Sequence, residues 1–400
     1  MSFTSSSTRS AGYPRAGEGA QRGAGPRGHL IPSSRKWKGR SCGGLAAALV
    51  LVGTGTAVAF PPARPFDPRL LMPKVEARAK HQGHFRFVVL GDSKNNPPFT
   101  AVLEQAAALK PDLALSTGDL VDKGAGRHGA SEYDRLAVMA GAFMRRVPTW
   151  PVAGNHELDG GNATRAGINF ARFFGLRNEN YAFDAGPARF IALTWPAPDA
   201  AGRAWLERQL AGAPGRLIFV FQHNLYYTVG SDTLVKNAPD ELTRLFTRYG
   251  VTAVFQGHDH GYYRTRRDGV WYITSAGAGS QIYRLNRFRE ARHGDVFFGW
   301  APAEGSPVAR VNYWLHRPGG RDRTYDSPQY FLVVVDVNGR HVTARAVTTR
   351  GEVLDALELT PPAGASRHAL APGRPLRARV HLQALVQASL LNQNHGSYHH

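Results

Sequence analysis

Carboxylate, amide and imidazole side chains follow five apolar runs of the sequence, each at the point where the run ends. They are Asp92, Asp119, Asn155, His223 and His258. Because open α/β sheets bind ligands at the carboxyl ends of their strands, we expect these side chains to lie together. His258 and His260 are two residues apart, and in extended chain such residues point to the same side. The pattern predicts a metal site built from oxygen and nitrogen donors.

Each of these residues has an alternative structural explanation when it is taken alone. Asp92 could cap the helix that follows it, and Asp119 could belong to a turn. Asn155 and His156 could form a capping turn, and His223 could be an ordinary core histidine. The functional interpretation therefore depends on all five segments occurring in one chain.

Short apolar runs alternate with helix-forming segments, which is typical of βαβ units with parallel strands. The predicted strands are 87–90, 113–116, 150–152, 190–193, 217–221 and 251–255. The predicted helices are 101–109, 132–145, 203–210 and 241–249. The pairs Asp268-Gly269 and Asn338-Gly339 predict two β-hairpins. We therefore expect an α/β domain with added antiparallel strands.

Composition restricts the class of protein and the kind of site. The chain has 400 residues and a single cysteine, Cys42, which excludes a disulfide framework and a cysteine-based zinc site. Much of the net charge of +19 lies at the two ends of the chain. The moderate basic excess of the remainder suits an anionic substrate and does not require nucleic acid.

The two ends differ in character from the centre. Residues 1–59 contain a basic segment, the apolar run 45–52 and a small-residue site ending at Ala59, a pattern typical of a cleaved secretory signal. The alternative is a retained membrane anchor over residues 42–60. We expect a proline-rich linker over 60–83, the α/β domain over 84–360 and a low-complexity tail over 361–400.

One part of the expected domain gives no clear pattern. Residues 281–327 are rich in arginine and aromatic side chains and predict no regular elements. We interpret them as an irregular insertion that serves either as a cap over the substrate site or as a basic surface loop.

Taken in order, the motifs are G-D-x-K, G-D-x-x-D, G-N-H-E, a single H and G-H-x-H, beginning at Gly91, Gly118, Gly154, His223 and Gly257. This order resembles the calcineurin-like metallophosphoesterase superfamily, and the resemblance covers roughly residues 84–350. It implies an α/β sandwich of two mixed β-sheets flanked by helices. Asp122 stands where the purple acid phosphatase branch carries tyrosine, so we expect a chain outside that branch.

The resemblance implies two metal ions, divalent or trivalent, held by side chains without sulfur. We call Asp92, Asp119 and His260 the first site. We call Asn155, His223 and His258, with Asp119 as the bridge, the second site. These donors suit Mn, Fe, Zn, Co or Mg. The resemblance also makes His156 the general acid for the leaving oxygen and Asp122 the residue that orients it.

Lys94 departs from the family pattern, which most often has a histidine ligand at this position. An ammonium group has no lone pair for a metal and adds a positive charge beside it. Either the first site is weakened, or Lys94 holds an oxygen of the substrate phosphate as a point charge, which is the interpretation we favour. The alternative is a solvent-exposed lysine.

Together these features predict an exported metal-dependent phosphohydrolase that acts on a phosphomonoester or a phosphodiester. The expected partner is an anionic phosphoester, with no obligate protein partner, no nucleic acid, and membrane contact only if the signal is uncleaved. Two alternatives stay open: a nuclease-type phosphodiesterase, and a catalytically silent metal-binding protein of the same fold.

Overall fold

The computed structural model describes residues 66–82, 84–159, 163–195, 197–232, 235–302, 311–318 and 320–359. The expected signal segment and the C-terminal tail lie outside these residues. Among the helices of the described ranges, none combines the length and the apolar character needed to cross a membrane.

The strands, numbered along the chain, are β1 (His84–Leu90), β2 (Leu113–Ser116), β3 (Thr149–Pro151), β4 (Tyr181–Ala185), β5 (Ala188–Leu193), β6 (Leu217–Gln222), β7 (Ala253–Gln256), β8 (Tyr262–Arg267), β9 (Val270–Ser275), β10 (Val296–Pro302), β11 (Val311–His316), β12 (Arg323–Tyr325), β13 (Phe331–Asn338), β14 (His341–Thr348) and β15 (Val353–Glu358). The helices are α1 (Met72–Gln82), α2 (Pro98–Ala108), α3 (Gly129–Met144), α4 (Asn155–Leu158), α5 (Ala163–Phe174), α6 (Ala200–Ala211) and α7 (Glu241–Arg248). Short 3₁₀ helices cover Pro68–Leu70 and Phe288–Glu290.

Within the described residues these strands form two mixed sheets. The first sheet has the order β15-β14-β13-β1-β2-β3, and the second has the order β12-β11-β10-β8-β9-β7-β6-β5-β4. Strands β1, β2 and β3 are parallel, as are β5, β6, β7 and β9. The outer strands each pair antiparallel with their neighbours, which confirms the expected mixture of parallel and antiparallel pairing.

The two sheets pack face to face through large apolar side chains. Phe87 of β1 lies in edge contact with Phe190 of β5 and Phe219 of β6, with ring centroids 5.2 Å and 5.1 Å away. On the outer face of the first sheet, Val88 packs in a cluster with residues of α2 and α3. On the outer face of the second sheet, Val220 packs in a cluster with residues of α6 and α7. The expected sandwich of two mixed sheets flanked by helices is confirmed.

Both predicted hairpins are present. β8 and β9 pair up to Arg267 and Val270, with Asp268 and Gly269 between them at φ values of 48° and 85°. Positive φ at both central residues is the conformation for which Asp-Gly is favoured. β13 and β14 pair up to Asn338 and His341.

Residues 281–327 differ from the sequence expectation because they contribute regular structure to a sheet. β10 pairs with β8, and β11 and β12 extend the second sheet beyond it. The run at β10 is broken by Gly299, where a side chain would lie 2.6 Å from Leu285. Gly299 therefore allows close packing against Leu285. It also interrupts the apolar pattern of a strand in which Phe297 and Phe298 are fully buried.

The expected linker over 60–83 also contains packed structure in its described part. α1 buries Val75, and the ring of Phe66 stacks on Phe173 with centroids 4.7 Å apart. Pro68 begins the first 3₁₀ helix, and Pro73 is the second residue of α1. At these positions the missing N–H of proline breaks no helical hydrogen bond. Residues 66–82 therefore belong to the domain surface.

Candidate active site

The motif residues converge where carboxyl ends of strands from both sheets meet. Asp92 follows β1, Asp119 follows β2 and Asn155 begins α4 after β3. His223 and His258 follow β6 and β7 of the second sheet. The structure therefore brings together the five side chains that the sequence singled out.

Three of the motif residues have a left-handed backbone conformation. Asp92, Asp119 and His258 have φ values of 62°, 53° and 72°. Such left-handed conformations cost about 1–3 kcal/mol each in a residue other than glycine and persist where the surroundings impose them. Gly154 allows the close approach of these loops, because a side chain there would lie 2.2 Å from Asp119 Oδ1.

The donor atoms of the second site lie close enough together to surround one ion. Asn155 Oδ1 is 2.9 Å from His223 Nε2 and 3.0 Å from His258 Nδ1, and the two histidine nitrogens are 3.1 Å apart. Asp119 Oδ1 lies 3.4 Å from His223 Nε2. Ligands bound at about 2.0–2.2 Å from a cation are spaced in this way. The four side chains fit a bound metal.

Hydrogen bonds to the main chain orient two of the histidine rings. His223 Nδ1 lies 2.8 Å from the Thr117 carbonyl oxygen, and His260 Nδ1 lies 2.8 Å from that of Gln281. A ring N–H that donates to a carbonyl leaves Nε2 as the nitrogen with a free lone pair. Burial also lowers the pKa of His223 to about 4 and that of His260 to about 3. Both rings are therefore neutral near pH 7, as metal ligands must be.

The first site contains buried polar atoms that have no hydrogen-bond partner in the described part of the chain. They are Asp92 Oδ2 and His260 Nε2. His260 Nε2 lies 3.6 Å from Asp92 Oδ1, and burial, together with Asp119, raises the pKa of the Asp92 carboxyl well above its usual value. Unpaired buried polar atoms cost free energy that a bound cation would recover. Donor atoms of Asp92, Asp119 and His223 all lie within 4.8 Å of one another.

Lys94 is turned toward these ligands. Its Nζ lies 3.5 Å from Asp119 Oδ2, and its side chain is 13% exposed. Its main-chain N–H donates to the Asp119 carbonyl oxygen at 2.9 Å. Lys94 is therefore an ion-pair partner of the Asp119 carboxylate and does not extend into solvent.

His156 lies beside the donor cluster with one ring nitrogen facing it. His156 Nε2 is 3.9 Å from Asp119 Oδ2, and the ring is 22% exposed. His156 Nδ1 lies 2.7 Å from the main-chain carbonyl oxygen of Asp122 and 3.2 Å from its carboxylate Oδ1. The structure brings the predicted pair together, and the closer contact comes from the main chain of Asp122.

Glu157 fixes the loops that carry the candidate ligands. Its carboxylate accepts N–H groups of Gly154, Asp119 and Leu120 at 2.7–2.8 Å, and that of Val121 at 3.3 Å. Burial and the nearby Asp119 raise its pKa to about 7. One buried side chain thus ties the loop after β2 to the start of α4.

Replacing Glu157 with alanine is expected to lower the free energy of unfolding by about 3 kcal/mol or more, because several buried N–H groups lose their acceptor at once. Glu157→Gln, which keeps a carbonyl oxygen, should lose less. Denaturant unfolding of both variants measures the effect, with Glu76→Ala on the exposed side of α1 as the control. An unchanged midpoint for Glu157→Ala would show that the carboxylate does not hold these loops.

Three contacts to the ligands come from residues that the sequence analysis missed. The Tyr283 ring stacks on His260 with centroids 3.9 Å apart, and the Trp195 ring lies over His258 at 5.8 Å. Asp232 Oδ2 lies 3.7 Å from His258 Nε2. Trp195 follows the end of β5 at the same sheet edge as the motif residues, so its position in the sequence could have predicted that it lies near the site. Tyr283 and Asp232 lie in loops without one.

Comparison with known proteins shows what the central segment of the chain is similar to. The sequence model of the calcineurin-like phosphoesterases matches residues 85–262. The serine/threonine-protein phosphatase CPPED1 of Rattus norvegicus is 28% identical over 192 residues, which are 43% of this chain and 61% of the rat protein. The chain thus covers less than two thirds of that relative.

The chain is also similar to a second relative by sequence and to a solved structure by fold. A protein named probable glycerophosphodiester phosphodiesterase GpdQ, from Arcobacter nitrofigilis, is 24% identical over 225 residues, covering 52% of this chain and 76% of that protein. The solved structure titled GAP50, the anchor in the inner membrane complex of Plasmodium, has a TM-score of 0.50 at 15% identity, covering 71% of this chain and 90% of that one. This structural likeness shows the fold alone. The segment that matches the calcineurin-like phosphoesterases, residues 85–262, is also the segment that carries the motif residues gathered at the strand ends.

Proposed function

We propose that the protein is a metal-dependent phosphohydrolase that cleaves a phosphomonoester or a phosphodiester. The observation that carries this proposal is the cluster of four donor atoms from Asp119, Asn155, His223 and His258, with His156 beside it. The family match and the phosphatase and phosphodiesterase names of relatives support the same class of reaction.

Two ions would be held by the first and second sites, with Asp119 shared between them. Bound there, they would supply positive charge against the substrate phosphate and make water a better nucleophile. The donor set of carboxylate, amide oxygen and imidazole suits Mn, Fe, Zn, Co or Mg. The chain's own contribution is to fix these donors through Glu157 and the main-chain carbonyls that orient the histidines.

His156 is the proposed general acid. Because Asp122 holds Nδ1, Nε2 is the ring atom that faces the donor cluster. From there it can pass a proton to the oxygen that leaves the phosphorus atom. Asp122 fixes the orientation of the ring.

Lys94 is the proposed contact for a phosphate oxygen. Its side chain is mostly buried and its Nζ lies beside the bridging carboxylate. A lysine placed there can meet an anionic group as a point charge.

An assay with small phosphoesters tests the proposal and separates it from its alternatives. The purified protein is given Mn, Fe, Zn, Co or Mg in turn, with mono-nitrophenyl phosphate, bis-nitrophenyl phosphate or a polynucleotide. We expect metal-dependent hydrolysis of at least one small ester. Cleavage of the polynucleotide that weakens steeply with salt would indicate a nuclease, and no hydrolysis with any ion would indicate a silent metal-binding protein.

Export is a separate proposal, supported by the basic, apolar and small-residue pattern that ends at Ala59. The expected result is a mature protein outside the cytoplasm that starts near Phe60. N-terminal sequencing of the product in the producing cell measures this. Recovery of an intact residue 40–58 segment in membranes would contradict cleavage and support an anchor.

A further inference from the structure

The two oxygens of Asp119 have different partners. Oδ1 lies 3.4 Å from His223 Nε2 and accepts the main-chain N–H of His156 at 2.9 Å. Oδ2 lies 3.5 Å from Lys94 Nζ. One oxygen is thus directed toward the second site, whereas the other is paired with an ammonium group.

An ammonium group and a metal ion cannot share this oxygen without cost. Lys94 has no lone pair to offer the ion, and two positive charges a few ångströms apart in a buried site repel each other strongly. The remaining donors of the first site, Asp92 Oδ2 and His260 Nε2, have no hydrogen-bond partner among the described residues. The first site therefore has free ligands, but its shared ligand is already neutralised by the chain itself.

The main chain of Lys94 is held, so any exchange must involve the side chain. The N–H groups of Lys94 and Asn95 donate to the carbonyl oxygens of Asp119 and Leu120 at 2.9 Å and 3.0 Å. The four-carbon side chain can move its ammonium group while this backbone stays in place.

We infer that Lys94 is an internal cation that occupies Asp119 Oδ2 until an anionic ligand draws it away, so that the two metal sites fill in sequence. The second site binds its ion in the resting protein. The first site binds its ion only together with a phosphate group, which offers oxygens to both the ion and Lys94. The inference rests on the proposed function for the nature of the anion, but not on turnover.

This arrangement predicts measurable coupling between metal and phosphate. Inorganic phosphate should raise the affinity for the second equivalent of metal by about 10- to 100-fold, a usual range for coupled sites. By reciprocity, saturating metal should raise the affinity for phosphate by the same factor. Calorimetric titration of the metal-free protein with Mn²⁺, with and without inorganic phosphate, measures both, and elemental analysis gives the ions per chain. The wild type should hold one ion without phosphate and two with it.

Substitutions at position 94 separate charge from shape. Lys94→Met keeps much of the side-chain volume but removes the charge, so it should bind two ions without phosphate and show little coupling. Lys94→Arg keeps the charge and should stay at one ion. Lys74→Met, at an exposed position of α1, removes the same charge elsewhere and should behave as the wild type. Thermal unfolding of each variant checks that it folds.

Two ions held with similar affinity by the phosphate-free wild type would overturn the inference, and so would a folded Lys94→Met protein that still holds one. Failure of the proposed function is distinguishable from this. If the stoichiometry follows the prediction but no phosphoester is hydrolysed with any ion, sequential loading stands and the hydrolase proposal is wrong. If esters are hydrolysed while the wild type holds two equivalent ions, the hydrolase proposal stands and sequential loading is wrong.

Discussion

Asp119→Ala is expected to lose bound metal and hydrolytic activity together. The Asp119 carboxylate is the proposed donor shared by both sites, with Oδ1 near His223 and Oδ2 near Lys94. Loss of a residue that hydrogen-bonds to a metal ligand commonly lowers metal affinity or activity about 10- to 100-fold. Loss of a ligand shared by two ions should lower them further. The substitution also leaves the Lys94 ammonium group buried without its counter-charge.

Elemental analysis of the dialysed protein measures metal retention, and initial rates on a small phosphoester measure activity. Asp134→Ala, at an exposed position of α3, controls for the loss of a carboxylate and should match the wild type. Asp119→Asn keeps the shape and guards against misfolding, and it should also bind metal less tightly. A folded Asp119→Ala protein with full metal content would contradict the assignment of the shared ligand.

His156→Ala is expected to keep its metal and to lose about 10²–10⁴ in turnover, the usual contribution of a general acid. The metal should stay because the imidazole is outside the cluster of second-site donors, and the N–H that binds Asp119 belongs to the main chain. The loss should depend on the leaving group. An alkyl phosphate needs a proton on its departing oxygen, whereas nitrophenolate leaves without much help.

The matched comparison is Asp122→Ala. The main-chain carbonyl oxygen of Asp122 makes the closer contact to His156 Nδ1, 2.7 Å against 3.2 Å for the carboxylate, and it survives the substitution. Asp122→Ala should therefore cost less than His156→Ala on the same alkyl ester. Equal rates for wild type and His156→Ala on that ester would refute the acid assignment.

The ligand set could be predicted from sequence because each ligand depends on local structure. Asp92, Asp119 and His223 each follow a short buried strand, and the carboxyl ends of such strands meet by the geometry of the sheets. The apolar runs, the glycines before the motifs and the two hairpin dipeptides are likewise local signals. Together they were enough to give an α/β domain and the place of the site, whereas the sandwich of two mixed sheets was implied by the family resemblance.

The surroundings of the ligands could not be predicted in the same way. The contacts of Tyr283 with His260 and of Trp195 with His258 join residues far apart in the chain. The direction of Lys94 depends on a loop in which residues 92, 94 and 95 all have positive φ, and composition does not predict such a path. β10 was missed because a glycine needed for packing interrupts its apolar run.

The most direct test of a metal-dependent hydrolase is removal and return of the ion in the wild-type protein. The protein is stripped with a chelator, assayed on the small ester that it cleaves best, and assayed again after one ion at a time is restored. We predict that hydrolysis disappears with the metal and returns with a suitable ion, and that Asp119→Ala does not recover under the same treatment. Hydrolysis that continues undiminished in the stripped protein would contradict this prediction.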